Sequence, residues 1–182
     1  TELRARTFAT WVKLSNLSQT GGAVMGVQTL MEDSVTMTFD AIVFGEQEPG
    51  RWMAGSNGFL RTQPFVGEPE TAADKPFVHI ALAYDDDGTI RAYRNGKPYG
   101  QPYKKELQVY PAGEARLVFG ARALPPGGNF MLDGIIREAC LFDRALSESE
   151  IAALAGASSP GVPDAVFAAI QTQPELRTTD QE

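Results

Sequence analysis

The chain has 182 residues, 43% of them hydrophobic and 21% charged, which is ordinary for a folded domain. At this length roughly 70% of the unfolded chain's surface is buried on folding, so neither a disulfide nor a metal is needed to complete a core. The net charge is −7 and no basic cluster exceeds Lys104-Lys105, which argues against nucleic acid and anionic membranes as partners.

Cys140 is the single cysteine, which excludes an intrachain disulfide and a cysteine metal cluster. Its apolar neighbours predict a buried, unreactive thiol. No apolar run approaches the roughly 20 residues that span a bilayer, so membrane insertion is not expected. No signal peptide is visible, and Thr1 leads almost directly into a predicted strand, so we expect a piece of a longer protein.

Alternation of side chains predicts a series of short strands. They lie at 7–14, 23–30, 37–45, 51–54, 77–84, 89–94, 115–122 and 130–143. Residues 59–63 are a further candidate for pairing, and Gly134 is interpreted as a bulge or bend. Trp11 lies inside the first strand and is assigned to the core. Residues 67–75 contain proline, acids and small residues, which predicts an exposed connection.

The clearest local signal is a double hairpin at 77–100. Asp87-Gly88 and Asn95-Gly96 each separate β-prone runs. Such pairs favour type I′ turns, which need a positive φ at both central residues. The stretch therefore predicts three consecutive antiparallel strands.

Residues 147–154 are the one convincing helix of the domain. Ser147 and Glu150 have the spacing of a capping box, worth on the order of 1 kcal/mol. Ile151 and Leu154 supply the apolar face.

Composition changes after this helix. Residues 158–182 read as a linker, a short amphipathic helix at 164–171 and a partly disordered polar tail. We expect one domain at 1–157, followed by this tail. The predicted fold class is all-β: an antiparallel two-sheet β-sandwich with one short helix after the last strand and a helical tail at the C-terminus.

Four segments, in order along the chain, carry a resemblance to a known family. They are TFATWVKL at 7–14, FVHIALAYD and GTIRAYRNGKPYG within 77–100, RLVFGAR at 116–122, and LDGIIREACLFDRALSESEIAAL at 132–154. Together they resemble the LamG-like (laminin G-like) jelly-roll domains of the concanavalin A-like lectin/glucanase superfamily. The resemblance implies a jelly roll of two stacked sheets, covering about residues 7–154.

The block at 39–65 is longer than is usual in this family. It resembles versions appended to large bacterial extracytoplasmic proteins that also carry c-type cytochrome domains. That likeness implies an extracytoplasmic location, whether periplasmic, cell-surface or secreted. No CxxCH sequence occurs, so this chain itself holds no c-type haem.

Some members of the superfamily are glycosidases, which need two carboxyl groups about 5–5.5 Å or about 6.5–9.5 Å apart. The strand pattern E-x-D-x-x-E that would supply them is missing. The acidic pairs present flank prolines or lie on the terminal helix: Glu46 and Glu48, Glu68 and Glu70, Glu148 and Glu150. We therefore expect no enzyme.

Two other features suggest chemistry and also have structural explanations. His79 is the only histidine, and its place inside a strand favours a packed, hydrogen-bonded residue over a general base. Residues 85–88 (DDDG) suggest calcium, but their spacing does not fit an EF-hand and favours a solvated hairpin tip. Asn129 and Asp133 are the first residues to test as calcium ligands. No cofactor is otherwise expected.

Trp52 is the best candidate for a ligand-binding residue, because it lies in a turn-rich region where an exposed aromatic ring could receive a sugar. Arg51, Asn57 and Arg61 would surround it with hydrogen-bonding groups. The alternative is that Trp52 folds back and seals the edge of the sandwich. Exposure of the ring would favour binding, and burial would favour an architectural role.

The sequence thus predicts a non-catalytic binding or attachment module of a larger extracytoplasmic protein, with a glycan or a protein surface as its partner. The fold alone does not choose between these ligands. Two alternatives stay open: an architectural domain that packs against other domains of the parent chain, and a glycoside hydrolase or lyase.

Overall fold

The computed structural model describes residues 1–30, 37–126 and 131–156. In these ranges the strands are β1 (Arg6–Leu14), β2 (Gly22–Thr29), β3 (Phe39–Phe44), β4 (Trp52–Ser56), β5 (Val78–Tyr84), β6 (Thr89–Arg94), β7 (Lys97–Pro98), β8 (Tyr103–Lys104), β9 (Ala115–Phe119) and β10 (Gly134–Phe142), and the helix is α1 (Glu148–Gly156). The predicted pairing at 59–63 is wrong, because a single 3-10 turn at Asn57–Phe59 leads into a loop. The predicted helix at 164–171 and the tail around it lie outside the described residues.

The strands form two antiparallel sheets that stack as a sandwich, which confirms the predicted fold class. One sheet has the order β10-β1-β5-β6-β7, with β8 also paired to β6, and the other has the order β4-β3-β2-β9. β2 lies across from β1, β3 across from β5 and β4 across from β6. Nowhere in the described part of the chain is there a helix with the length and apolar composition that crossing a membrane requires.

The core lies between the sheets and is built by alternation along each strand. Phe8, Val12 and Leu14 of β1 point inward and meet Ile42 and Phe44 of β3, and all five are fully buried. Because successive side chains of a strand point to opposite faces, the neighbours of these residues lie on the outer faces. The periodicity of the sequence therefore orients both sheets correctly.

The double hairpin is confirmed, although its two turns differ. Asn95 (φ 50°) and Gly96 (φ 76°) are both left-handed, as a type I′ turn requires. In the other turn only Gly88 is left-handed (φ 84°), so the type I′ prediction for Asp87-Gly88 is wrong. The loop is one residue longer than a type I′ turn allows, since the Gly88 amide donates to the Asp85 carbonyl and the Asp85 amide to the Thr89 carbonyl.

Strand β10 has its irregularity later than predicted. Trp11 faces Glu138 and Val12 faces Ile136, so the bulge falls at Arg137 and not at Gly134. Gly134 begins the strand instead. A Cβ there would lie 2.4 Å from the carbonyl oxygen of Lys13, so the close approach of β1 requires a glycine.

The outer face of the larger sheet is apolar and is covered by α1. Ala81 and Ala83 of β5 pack there against Ile151 of the helix.

His79 lies on this face, only 2% exposed, with its ring 5.4 Å from that of Trp11. Trp11 is half-buried beside the helix, so its assignment to the interior core is wrong. Burial lowers the pKa of His79 to about 4, although the negative charge of Glu138 opposes the shift.

Helix α1 begins as the sequence predicts. The Ser147 amide donates to Oε2 of Glu150 at 2.8 Å, and the Glu150 amide donates back to Oγ of Ser147 at 3.3 Å. The middle of the helix rests on the β6–β7 turn, where a Cβ on Gly96 would lie 2.9 Å from Cα of Ala152. Glycine at this turn therefore provides both its backbone conformation and the space for the helix.

A buried ionic cluster joins the two sheets at one end of the sandwich. Asp40 of β3 and Arg6 of β1 form an ion pair in which neither side chain is exposed. Arg61 donates from Nε to Oδ1 of Asp40 at 2.7 Å, and the Tyr110 hydroxyl donates to Oδ2 at 2.8 Å. Removing one partner of such a pair leaves an unpaired buried charge, which costs much more than the pair itself contributes.

Replacing Asp40 with alanine should lower the free energy of unfolding by about 3–5 kcal/mol, because Arg6 would remain buried without a counterion. Urea denaturation measures this change. Asp86→Ala is the matched control, since Asp86 makes only an exposed contact with Arg4 and its loss should cost less than about 1 kcal/mol. Equal losses in the two variants would contradict the role given to the cluster.

The lowered pKa of His79 predicts that stability falls as the pH decreases from 6.5 to 4. In that range the unfolded chain binds a proton that the folded chain does not, so protonation favours unfolding. The full effect is about 3 kcal/mol. In His79→Gln the decrease over this range should be smaller by that amount, as measured by urea denaturation at several pH values. An unchanged pH profile would contradict the prediction.

Candidate functional site

Trp52 is buried and does not form an exposed platform. Only 1% of the residue is exposed, and its ring lies 4.8 Å from that of Phe44 inside the sandwich. The prediction of an exposed ring is therefore wrong, and the alternative that Trp52 folds back is confirmed. The physical reason lies 18 residues later, where Glu70 accepts a hydrogen bond from the indole Nε1 at 2.9 Å.

Glu70 is the centre of a second buried polar network, at the end of β4 opposite the Asp40 cluster. Arg94 of β6 binds both of its carboxylate oxygens, from Nε and from a terminal nitrogen, each at 2.8 Å. The backbone amides of Thr71, Ala72 and Ala73 donate to Oε1 at 3.0 to 3.3 Å. The prediction that 67–75 is an exposed connection is thus wrong at Glu70, whose side chain is fully buried.

These contacts decide the charge of Glu70. Burial by itself would raise the pKa of this carboxyl. Hydrogen bonds from Arg94, Trp52 and the Ala72 amide outweigh burial and lower the pKa to about 2. A general acid in a glycosidase needs the opposite shift, toward neutral pH. Glu70 is therefore a fixed anion that positions Arg94.

Beside this network lies a pocket of about 350 Å³ with both polar and apolar lining, within the size range of ligand sites. We call it the Arg94 pocket. Its lining consists of Glu68, Pro69, Glu70, Thr71, Arg94, Pro98, Tyr99 and Gly100. Glu68 and Thr71 are exposed, and the Arg94 side chain is 30% exposed. A carboxylate, a hydroxyl and a guanidinium held by Glu70 thus converge on one cavity with apolar proline walls.

The four predicted site residues do not come together. Arg51 lies near the Arg94 pocket, where its Nε donates to the Gly67 carbonyl at 2.8 Å. Arg61 belongs to the Asp40 cluster at the other end of β4, is 6% exposed, and also donates to Oδ1 of Asn57 at 2.9 Å. Contact of Arg51 or Asn57 with a ligand stays a prediction.

The residues considered as possible calcium ligands make protein contacts where the structure describes them. At the hairpin tip Asp85 pairs with Arg91, and Asp87 pairs with Lys104. Oδ2 of Asp133 accepts a hydrogen bond from Asn16 at 3.1 Å, and Asn129 lies outside the described residues. Within residues 1–30, 37–126 and 131–156, no group of three or more His, Cys, Asp or Glu is arranged to hold a metal ion.

Sequence reasoning missed the two residues that organise the pocket, Glu70 and Arg94. Neither stands in a motif, and they lie 24 residues apart on a loop and a strand. A weak signal existed in the acidic residues that flank Pro69, because a carboxylate beside a loop of small residues can accept several backbone amides.

Comparison with known proteins agrees with this fold. The model of a Laminin_G_3 family, described as the concanavalin A-like lectin/glucanases superfamily, matches residues 2–152. The chain belongs to this superfamily. No match was found among curated proteins.

Solved structures with the same fold share little sequence with this superfamily member. Domain 4 of AbnA, a GH43 extracellular arabinanase from Geobacillus stearothermophilus in complex with arabinotriose, has a TM-score of 0.62 and 18% identity, covering 83% of this chain and 66% of that one. The CBM40 of the Ruminococcus gnavus IT-sialidase bound to alpha2,3 sialyllactose has a TM-score of 0.60 and 13% identity, covering 85% of this chain and 84% of that one. A SAP-like pentraxin from Limulus polyphemus has a TM-score of 0.61 and 17% identity, covering 85% of this chain and 71% of that one.

The lowered pKa of Glu70 predicts a second loss of stability at acid pH. Its contribution is complete above about pH 4.5, where the unfolded carboxyl is also ionised, and is lost as the pH falls through the folded pKa of about 2. The contribution is about 3 kcal/mol. Glu70→Gln should therefore be less stable than the wild type at pH 7. Between pH 4.5 and 2 its free energy of unfolding should decrease much less than that of the wild type, as measured by urea denaturation. An equal decrease in the two proteins over this pH range would contradict this prediction.

Proposed function

We propose that this chain is a non-catalytic glycan-binding module of a larger extracytoplasmic protein, and that the Arg94 pocket holds a saccharide. The observation that carries the proposal is the arrangement of Arg94, which Glu70 holds on one side while 30% of the arginine side chain stays exposed. An arginine carries five N–H donors, and Glu70 takes two of them. The others are available to the hydroxyl oxygens of a sugar.

Three further observations support this function. Glu68 offers an exposed carboxylate that accepts hydrogen bonds from hydroxyl groups. Pro69 and Pro98 give the pocket apolar walls against which the C–H face of a sugar ring can pack. Solved structures that share the fold also include the arabinanase domain, the CBM40 and a putative carbohydrate binding protein from Bacteroides ovatus, whose structures carry carbohydrate names or ligands.

The described acids support a non-catalytic role. Glu70 is held ionised by Arg94, and Asp40 is enclosed between Arg6 and Arg61. Glu70 therefore cannot donate a proton to a glycosidic oxygen at neutral pH, and Asp40 is fully buried, out of reach of a substrate. Glu68 alone is an exposed carboxylate in the Arg94 pocket, and one such group does not supply the acid and the base or nucleophile that hydrolysis needs.

Burial of Trp52 favours a second candidate function, in which the domain serves as an architectural unit and packs against other domains of its parent chain. The indole that would have offered a binding platform is used instead to close the sandwich. In this case no free saccharide would bind.

Thr71→Trp tests the proposal, because it fills the Arg94 pocket from an exposed position without removing a partner of Glu70. On a glycan array, the wild-type chain should bind at least one class of saccharide, and Thr71→Trp should weaken that binding at least about tenfold, which is about 1.4 kcal/mol. Glu68→Ala should weaken it to a smaller extent. Each is measured with and without a chelator.

Asp87→Ala at the exposed hairpin tip is the matched control and should bind as the wild type does. Binding that survives Thr71→Trp unchanged would place the saccharide elsewhere on the domain. Absence of any glycan binding by the wild type would favour the architectural function.

A further inference from the structure

A second, smaller pocket adjoins the Arg94 pocket. It has a volume of about 220 Å³, and we call it the Arg91 pocket. Its lining consists of Arg91, Ala92, Tyr93, Pro98, Tyr99, Gly100, Pro102 and Glu148. Pro98, Tyr99 and Gly100 also line the Arg94 pocket, so the two cavities share one wall.

The shared wall belongs to the edge of the larger sheet, where β7 is the last strand in the order. Ile90 and Ala92 of β6 pack in the core, so Arg91 points to the outer face of the sheet and Arg94 to the inner face. The two arginines are three positions apart, which is about 10 Å along the strand. One sugar ring therefore does not reach both arginines, whereas a saccharide chain that passes over the edge meets both.

A carboxylate holds the arginine of the Arg91 pocket, as in the Arg94 pocket. Asp85 accepts hydrogen bonds from Nε and Nη2 of Arg91 at 2.9 and 2.8 Å. Nη2 also donates to the Leu146 carbonyl at 3.2 Å, and Nη1 donates to the Tyr93 hydroxyl at 2.7 Å. These bonds take four of the five N–H groups of Arg91, whose side chain is 25% exposed. One N–H group is left for a ligand, and the Tyr93 hydroxyl can donate in turn.

The remaining groups of the Arg91 pocket also suit a sugar. Pro98 and Pro102 are exposed and offer apolar surface to the C–H face of a ring. Glu148 of α1 offers an exposed carboxylate that accepts hydrogen bonds from hydroxyl groups. Each pocket thus contains an arginine fixed by an acid, an exposed glutamate and two prolines.

The charges around the two pockets favour a neutral saccharide. Each arginine is paired with the carboxylate that holds it, so the other charged groups of the lining are Glu68 in one pocket and Glu148 in the other. Two nearby cations, Arg51 and Lys97, line neither pocket. The whole chain has a net charge of −7. A sugar with a carboxylate or sulfate group would therefore bring like charges together, which is unfavourable.

Given the glycan-binding function proposed above, on which this step rests, we propose that the ligand is a neutral oligosaccharide of at least two sugar units. It passes over the edge of the sheet at Pro98, Tyr99 and Gly100 and occupies the Arg94 and Arg91 pockets together. Glu148 and Tyr93 are then binding residues that the Arg94 pocket alone does not require.

Ladders of neutral oligosaccharides test the number of pockets. The wild-type chain is titrated by NMR with one to five units of arabinose, galactose, glucose, mannose or xylose. For the sugar that binds, we expect the affinity to rise at least about tenfold from one unit to the shortest chain that spans both pockets, and then to level off. Thr71→Trp, which fills the Arg94 pocket, should weaken binding at every length.

Glu148→Trp fills the Arg91 pocket from an exposed position. The affinity of this variant for the longer chains should fall to that for the single unit. Glu148→Ala, which removes only the carboxylate, should reduce the rise by a smaller factor. Ala153→Trp is the matched control, since it adds the same side chain at an exposed position of α1 that lines neither pocket, and it should bind as the wild type does.

The charge of the ligand is tested with alpha2,3 sialyllactose against neutral trisaccharides of the sugar that binds. The sialylated compound should bind at least about tenfold more weakly at low salt, and the difference should decrease at high salt because ions screen the repulsion. Tighter binding of alpha2,3 sialyllactose than of every neutral trisaccharide would overturn the neutral class.

The outcomes separate this proposal from the proposed function. An affinity that does not depend on chain length, or a rise that survives Glu148→Trp, would overturn the two-pocket site while glycan binding at the Arg94 pocket stood. Absence of binding to every ladder and to alpha2,3 sialyllactose would overturn both.

Discussion

The salt bridge between Asp40 and Arg6 is the constraint on which the arrangement of the two sheets depends. Each side chain belongs to a different sheet, and both are fully removed from solvent. A buried charge is tolerated only with a well-aligned counterion, so the strands β1 and β3 have little freedom to slide relative to each other. Arg61 and Tyr110 extend the same constraint to two loops that flank the sheets. Apolar packing fills the interior of the sandwich, and this cluster fixes the position of one sheet relative to the other.

Much of the fold could be predicted from the sequence because it depends on local rules. Alternation in TFATWVKL, the Asn95-Gly96 turn and the Ser147/Glu150 capping box each involve neighbouring residues, and all three are present in the structure. The candidate site could not be predicted in the same way. Burial of Trp52 depends on Glu70, and the position of Glu70 depends on Arg94, so no one segment contains the information. Turn residues mark a loop in a sequence, but they do not show which of its side chains turn inward.

The contact between Gly96 and Ala152 links α1 to a turn that precedes it by more than fifty residues. A methyl group at that turn would push the helix off the sheet and uncover Ala81 and Ala83, while the interior of the sandwich stayed intact. Docking of the helix therefore reports on the hairpin beneath it. Protease cleavage within 144–156 would show whether the β6–β7 turn has formed, and the amide protons of α1 should not be protected from exchange before those of β5 and β6.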